Sequence, residues 1–202
     1  MVDENQRDTK HSLLERARQG DAAAWRLMVD IYEPMMSDWL HRFGVPSQEV
    51  EDLKQEVLAL LFKGLGSFEH QGRTGSFRAW LRTLTINRAR TFWRLGKGRP
   101  QHWVAIDLHS MVGQLEDPHS DLSRLWDQQH DEYVIRRSLA TLAEEFDEQT
   151  LLVFKALVLE GRSVRETAQD FGMSVVAVYG AKARVLSRLR EMTAFMLDWP
   201  AE

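Results

Sequence analysis

The chain has 202 residues, 44% hydrophobic and 28% charged, with a formal net charge of −4 at pH 7 and no cysteine. That balance belongs to a folded globular protein of one ordinary domain or two small ones, and it excludes disulfides and thiolate metal sites. No apolar run approaches the roughly 20 residues that span a bilayer, and the polar start MVDENQRDTKH does not read as a signal peptide, so a cytoplasmic location is expected.

Helical periodicity dominates, and no stretch alternates with period two between turn signals. Leu13, Leu14 and Ala17 open an amphipathic stripe, and Gly20 followed by Asp21 reads as a helix stop and a new cap. The stripe resumes at Ala24, Trp25, Met28 and Tyr32. Pro34 suits the first turn of a further helix, 34–43, carrying Met35, Trp39, Leu40 and Phe43 and ended by Gly44-Val45-Pro46. Ser47 is read as the cap of the next helix, whose apolar face is Val50, Leu53, Val57, Leu60 and Leu61. Its other face presents Asp52, Gln55, Glu56 and Ala59, which is either a solvated surface or a docking one.

Residues 64–76, GLGSFEHQGRTGS, form a Gly-rich loop with one aromatic, Phe68. The helix that follows places Phe77, Trp80, Leu81, Leu84 and Phe92 on one broad face at 100° per residue. Ser76, Thr83, Asn87, Arg90 and Arg94 fall in a narrow strip elsewhere. Such a strip beside a loop suits a nucleic-acid backbone and unstacked bases; the plainer reading is an ordinary basic helix face. From 96 to 126 the periodicity weakens under Gly96, Gly98, Pro100, Gly113 and Pro118, and acids replace bases. That stretch reads as a tether, since about 30 residues is long for a connection inside one domain. His102, His109, His119 and His130 are not spaced as a ligand set and read as scattered surface histidines.

A second helical domain begins with the stripe Tyr133, Ile135, Leu139, Leu142 and Phe146. Asp147 caps a helix with Leu151, Phe154, Leu157 and Val158 inward, closed by Gly161. Then comes SVRETAQDFGMSVVAVYGAKARVLSRLR, residues 163–190. Ser163 and Glu166 have capping-box spacing, Ala168 is small where another helix must pass, and Gly172 marks a left-handed helix end. Ser174 caps a second helix with Val178, Val185, Leu189 and Met192 on one side. This is the pattern of a helix-turn-helix, whose second helix enters the DNA major groove; a plain helical hairpin is the alternative. The charge is segregated: bases gather in 73–99 and 182–190, acids in 49–56, 107–131 and 144–148. A protein that binds DNA only within a larger assembly can carry that much acid.

In their order and spacing these parts resemble a bacterial RNA polymerase sigma factor of the extracytoplasmic-function (ECF) class. The resemblance rests on DLKQEV (52–57), FRAWLRTLTINRAR (77–90), EGRSVRETAQDFGMS (160–174) and RVLSRLR (184–190). It implies an all-α protein of two helical domains: region 2 in 1–95, a linker in 96–126 and region 4 in 127–202. Asp52, Gln55 and Glu56 would then dock on the clamp helices of the polymerase core's largest subunit. Ser76, Thr83, Asn87, Arg90 and Arg94 would read and open the −10 promoter element, with the 69–76 loop. Ser174, Val176, Ala177, Tyr179, Gly180, Arg184 and Arg188 would meet the −35 element, and the acidic linker would thread toward the RNA exit channel. An anti-sigma protein is a further partner the resemblance admits.

The chain departs from the family where Thr-Val-Lys and a following Arg are usual: here stand Ala177, Val178, Tyr179 and Ala181. Val176 and Ala177 could touch thymine methyls instead, leaving Arg184 and Arg188 for phosphates, while Lys182 would snorkel. No nucleophile–base pattern or phosphate loop is visible, so no enzymatic activity, cofactor or metal is expected. The rival readings are a helix-turn-helix regulator with an N-terminal sensing or dimerisation domain, and a helical adaptor. Neither needs an acidic docking helix followed by a basic-aromatic one.

Overall fold

The structure, a computed structural model of the chain, describes residues 12–68, 75–95 and 102–199. All regular structure among them is helical: α1 (Leu13–Arg18), α2 (Ala22–Arg42), α3 (Ser47–Leu65), α4 (Ser76–Arg94), α5 (His102–Glu116), α6 (Asp121–Leu142), α7 (Glu148–Val158), α8 (Val164–Asp170) and α9 (Val175–Met192). The described residues divide into two compact units, one within 13–134 together with 195–199, the other 135–194.

In the first unit, Gly20 ends α1 with φ 87° and Asp21 starts α2. One Asp21 oxygen accepts the Ala23 and Ala24 amides at 2.8 and 3.1 Å, and the other binds Arg16 at 2.6 Å. Two boundaries differ from the sequence expectation. Pro34 lies inside a continuous α2 and starts no new helix. An interior proline costs about 3 kcal/mol, but Ile31, Tyr32, Met35 and Met36 on either side of it are all fully buried. Each such side chain contributes roughly 1.5–3 kcal/mol, so packing outweighs the lost hydrogen bond. Ser47 is the first residue of α3 and not its cap; Pro46 holds the cap position, with no side-chain cap bond.

α2 packs on α1, α3 and α4, and α3 packs on α4. The core they share holds Met28, Trp39, Val57, Leu61, Phe77, Leu81 and Phe92. The larger difference lies further on. Glycine and proline punctuation predicts a tether over 96–126, yet residues 102–116 and 121–142 are helical, and the first unit runs on to Val134. Gly113 is tolerated inside α5 on an exposed side, and Pro118 falls in the turn before α6. Trp126 of α6 is fully buried, 4.8 Å between ring centroids from Trp39. His130 is no surface histidine: its ring is fully buried, stacked on Tyr32, with Nε2 3.2 Å from the Tyr32 hydroxyl and Nδ1 3.0 Å from Asp131.

The second unit is built on α7, α8 and α9, which pack pairwise. Val153, Ala168, Val178 and Ala181 form its buried centre, flanked by Leu157, Val164, Phe171 and Met173. Asp147 caps α7 through the Thr150 amide at 2.8 Å. The capping box is complete: Ser163 Oγ accepts the Glu166 amide at 3.2 Å, and the Glu166 carboxylate accepts the Ser163 amide at 3.1 Å. Gly172 turns at φ 61°, and Ser174 Oγ accepts the Ala177 amide at 3.1 Å.

Candidate polymerase and nucleic-acid interfaces

The outer face of α3 carries Asp52 and Gln55, both exposed, with Gln55 Nε2 donating to Glu51 at 3.2 Å. Glu56 is half-buried and pairs with Arg88 of α4, so it ties two helices together as well as facing outward. Lys54 sits nearby with its stem buried and its ammonium 2.7 Å from Glu33 and 2.6 Å from Glu51. Burial works against that charge, but the two carboxylates outweigh it and hold the ammonium above its ordinary range. Two residues the sequence reading did not assign join this face. Leu60, expected inside, is 43% exposed, and Phe62 is 57% exposed with its ring edge-on to Trp25 at 5.0 Å. An aromatic off the apolar stripe of α3 was the available signal. Apolar side chains flanking acidic ones give a surface suited to a protein partner.

On α4 the strip is realised in part. Thr83, Asn87, Arg90 and Arg94 are exposed along the helix, and Ser76 is half-buried at its first residue. Thr83 Oγ1 donates to the Ala79 carbonyl at 2.9 Å. Arg90 donates to Glu116, at the end of α5, at 2.9 Å. Thr83, Ile86, Asn87 and Arg90 line a cleft of about 180 Å³ together with Leu115 and Glu116. Residues 69–74 of the adjoining loop, including Glu69, lie outside the described residues. Phe68, at the loop entry, stacks on Trp80 at 4.8 Å and meets Phe77 edge-on at 5.6 Å, so this aromatic anchors the loop to α4. Gly64 is needed there: a Cβ would stand 2.6 Å from the Trp80 ring. At the other end Gly75 has φ 70° and donates its amide to Asp198 at 2.8 Å. Asp198 also binds Arg78 at 2.7 Å, a link that 123 residues of separation hide from any local pattern.

In the second unit the outward side of α9 presents Val176 (80% exposed), Ala177, Tyr179 (54%) and Arg184, with Ser174 exposed as the cap. Gly180 is half-buried, and a Cβ there would meet only the Arg184 guanidinium, at 3.6 Å. Arg188 is not part of this open set. It is half-buried and engaged by Glu145 at 2.6 and 2.9 Å; the hydrogen bonds to Glu145 raise its pKa above the ordinary guanidinium range. Lys182 is half-exposed, as snorkelling requires. Gln149 donates to the Phe171 carbonyl at 3.1 Å, and Arg162 pairs with Asp170. Both brace the turn between α8 and α9, and neither was singled out by spacing.

Residues 28–98 match the family model described as Sigma-70 region 2. Over 183 residues the chain is 25% identical to the RNA polymerase sigma factor NccH of Alcaligenes xylosoxydans xylosoxydans, covering 88% of this chain and 91% of NccH. It is 26% identical over 192 residues to the RNA polymerase sigma factor CnrH of Cupriavidus metallidurans, covering 92% and 94%. A structure of CnrH in complex with the cytosolic domain of CnrY aligns at 22% identity and a TM-score of 0.37, covering 88% of this chain and 92% of that one. Over 84 residues the identity to the ECF RNA polymerase sigma-E factor of Escherichia coli K12 is 31%, covering 42% of each. The match gives residues 28–98 the character of a sigma-70 region 2. Together with the sequence likeness to named sigma factors it supports the reading of an RNA polymerase sigma factor of the extracytoplasmic-function class.

Proposed function

We propose that the two units divide promoter recognition, the first docking on core polymerase and opening the −10 element, the second reading the −35 element. The exposed alignment of Thr83, Asn87, Arg90 and Arg94 on α4 carries this reading. It sets side-chain donors in a row along one helix, where a single strand's phosphates and unstacked bases can be held. Asp52, Gln55 and Glu56, joined by Leu60 and Phe62, are assigned to the polymerase clamp helices. Ser174, Val176, Ala177, Tyr179, Gly180 and Arg184 are assigned to the −35 major groove, by apolar contact with thymine methyls and one phosphate-seeking cation. Promoter opening here draws on binding energy within the polymerase complex and needs no chemistry from the chain itself, which acts in the cytoplasm. An anti-sigma protein is a further proposed partner, in view of the sequence likeness to CnrH, whose structure is known with the cytosolic domain of CnrY.

The test is reconstitution. With core polymerase and a promoter mapped from transcript starts, Asn87→Ala with Arg90→Ala should lower open-complex formation about tenfold or more. Core binding by the same double variant should stay within about twofold of wild type. Equal loss of core binding and melting would mean that the strip is structural, and the assignment would fall.

A further inference from the structure

We propose that the second unit reads C5 methyl groups of pyrimidines in the −35 element, so that 5-methylcytosine serves it as thymine does and cytosine methylation strengthens promoter binding. The proposal rests on the reading of α9 as the helix that enters the −35 major groove, and goes beyond it by naming the chemical group that is read. Three observations carry it. The first is exposure. At the start of α9 Val175 is 43% exposed, Val176 80% and Tyr179 54%, while Val178, Ala181 and Val185 on the inward side are fully buried. The core of the unit closes without the outward three. Ser174 Oγ accepts the Ala177 amide at 3.1 Å and Gly172 turns at φ 61°, so the start of the helix is held and these side chains keep facing outward.

The second observation is what this face lacks. Residues at the N-terminal end of a recognition helix meet the base edges. There a guanine is read by Arg or Lys, an adenine by Asn or Gln, and a cytosine amine by Asp or Glu. None of those six residue types occurs between Ser174 and Ala181. The side-chain polar groups in that stretch are two hydroxyls, of Ser174 and Tyr179, and a hydroxyl suits several bases alike. The C5 methyl is the one apolar feature that a base pair shows in the major groove, and 5-methylcytosine carries it where thymine does. The third observation is charge. Residues 171–190 contain no Asp or Glu, and Lys182 and Arg184 follow directly on the apolar group. A duplex answers both halves of this face, with phosphates for the cations and methyl groups for the valines. Taking one methyl group out of water against a valine is worth about fourfold in affinity.

The test uses the full chain reconstituted with core polymerase, and reads competition between promoter duplexes that differ only in the mapped −35 element. Replacing each thymine in turn by deoxyuridine removes the methyl group and nothing else. At a contacted position this should weaken binding about fourfold. Cytosine at the same position should bind at least as weakly, and 5-methylcytosine there should recover about fourfold. Val176→Ser should shrink both effects to below about twofold. If the intact −35 element competes no better than a scrambled one, the −35 reading itself fails and methyl recognition with it. If the intact element wins but deoxyuridine and 5-methylcytosine change nothing at any position, α9 still reads the element and methyl recognition is overturned; the exposed valines are then left to a protein partner. Methyl effects that persist undiminished in both Val176→Ser and Tyr179→Ala would arise from duplex shape, and their assignment to these side chains would fall. Should thermal melts show a variant unfolded, the duplex series on the wild-type chain alone decides whether the methyl groups are read.

Discussion

At Asp21 one carboxylate oxygen takes two helix-start amides while the other takes Arg16. Partial burial alone would raise this carboxyl, but the Ala24 amide, Arg16 and the Ala23 amide outweigh it and hold it below its ordinary value. A depressed folded pKa means that the bonded, ionised form stabilises the fold above the unfolded value. That contribution is lost as pH falls through the lower, folded one. Asp21→Ala should cost about 1 kcal/mol near neutral pH, the usual magnitude for a lost N-cap. The gap in Tm between variant and wild type should narrow as pH falls from neutral through the ordinary carboxylate value and then through the depressed folded one. A gap that stayed constant across that range would show that the cap acts through shape alone. Caps of this kind were legible in the sequence because the bonds span two or three residues. Asp21, Asp147, Ser163 and Ser174 all act where their spacing indicated. Ser47 misled because Pro46 already fixes the backbone at the entry to α3.

Along an element, the question becomes which side chains a helix leaves for a partner. The inward positions of α9 were plain from apolar spacing, but spacing cannot say that Arg188 is taken by Glu145 across 43 residues. That pair decides how α9 should respond to salt. Arg184 is exposed and available to a phosphate, whereas Arg188 would have to surrender two short hydrogen bonds first. Arg184→Ala in the full chain should flatten the salt dependence of −35 duplex binding by about one unit of slope. Arg188→Ala should leave the slope nearly unchanged and instead lower Tm, since it strands Glu145. If Arg188→Ala flattened the slope as much as Arg184→Ala, the Glu145 contact would not survive on DNA. Val176 and Tyr179, exposed and uncharged, should govern sequence preference more than affinity. Val176→Ser should therefore narrow the discrimination between thymine and other bases at one position by roughly 1 kcal/mol, measured by competition with single-base variants of the mapped site.

For the molecule as a whole, the hardest feature to read was where the first unit stops. On the part of α6 that belongs to the first unit, the buried positions are Ser123, Trp126, His130 and Val134, at spacings of three, four and four. That is a helical stripe, but half of it is polar, and a search for apolar periodicity passes over it. What makes Ser123 and His130 interior residues is tertiary: Arg82 donates to one, and the Tyr32 hydroxyl meets the other. The acids of the same stretch then read as a charged tether, when Asp127 and Asp131 are partners of Arg78. Trp126 separates the two descriptions experimentally. A tether residue could be truncated without consequence to the helices before it. A core residue packed on Trp39 should, on Trp126→Ala, lose about 3–5 kcal/mol through transfer and cavity terms. Hydrogen exchange on the full chain locates that loss. Amides of α2 around Trp39 should lose protection in step with the measured destabilisation, while those of α7 and α9, in the other unit, should keep theirs. Unchanged α2 protection would return residues 121–126 to the role of a linker.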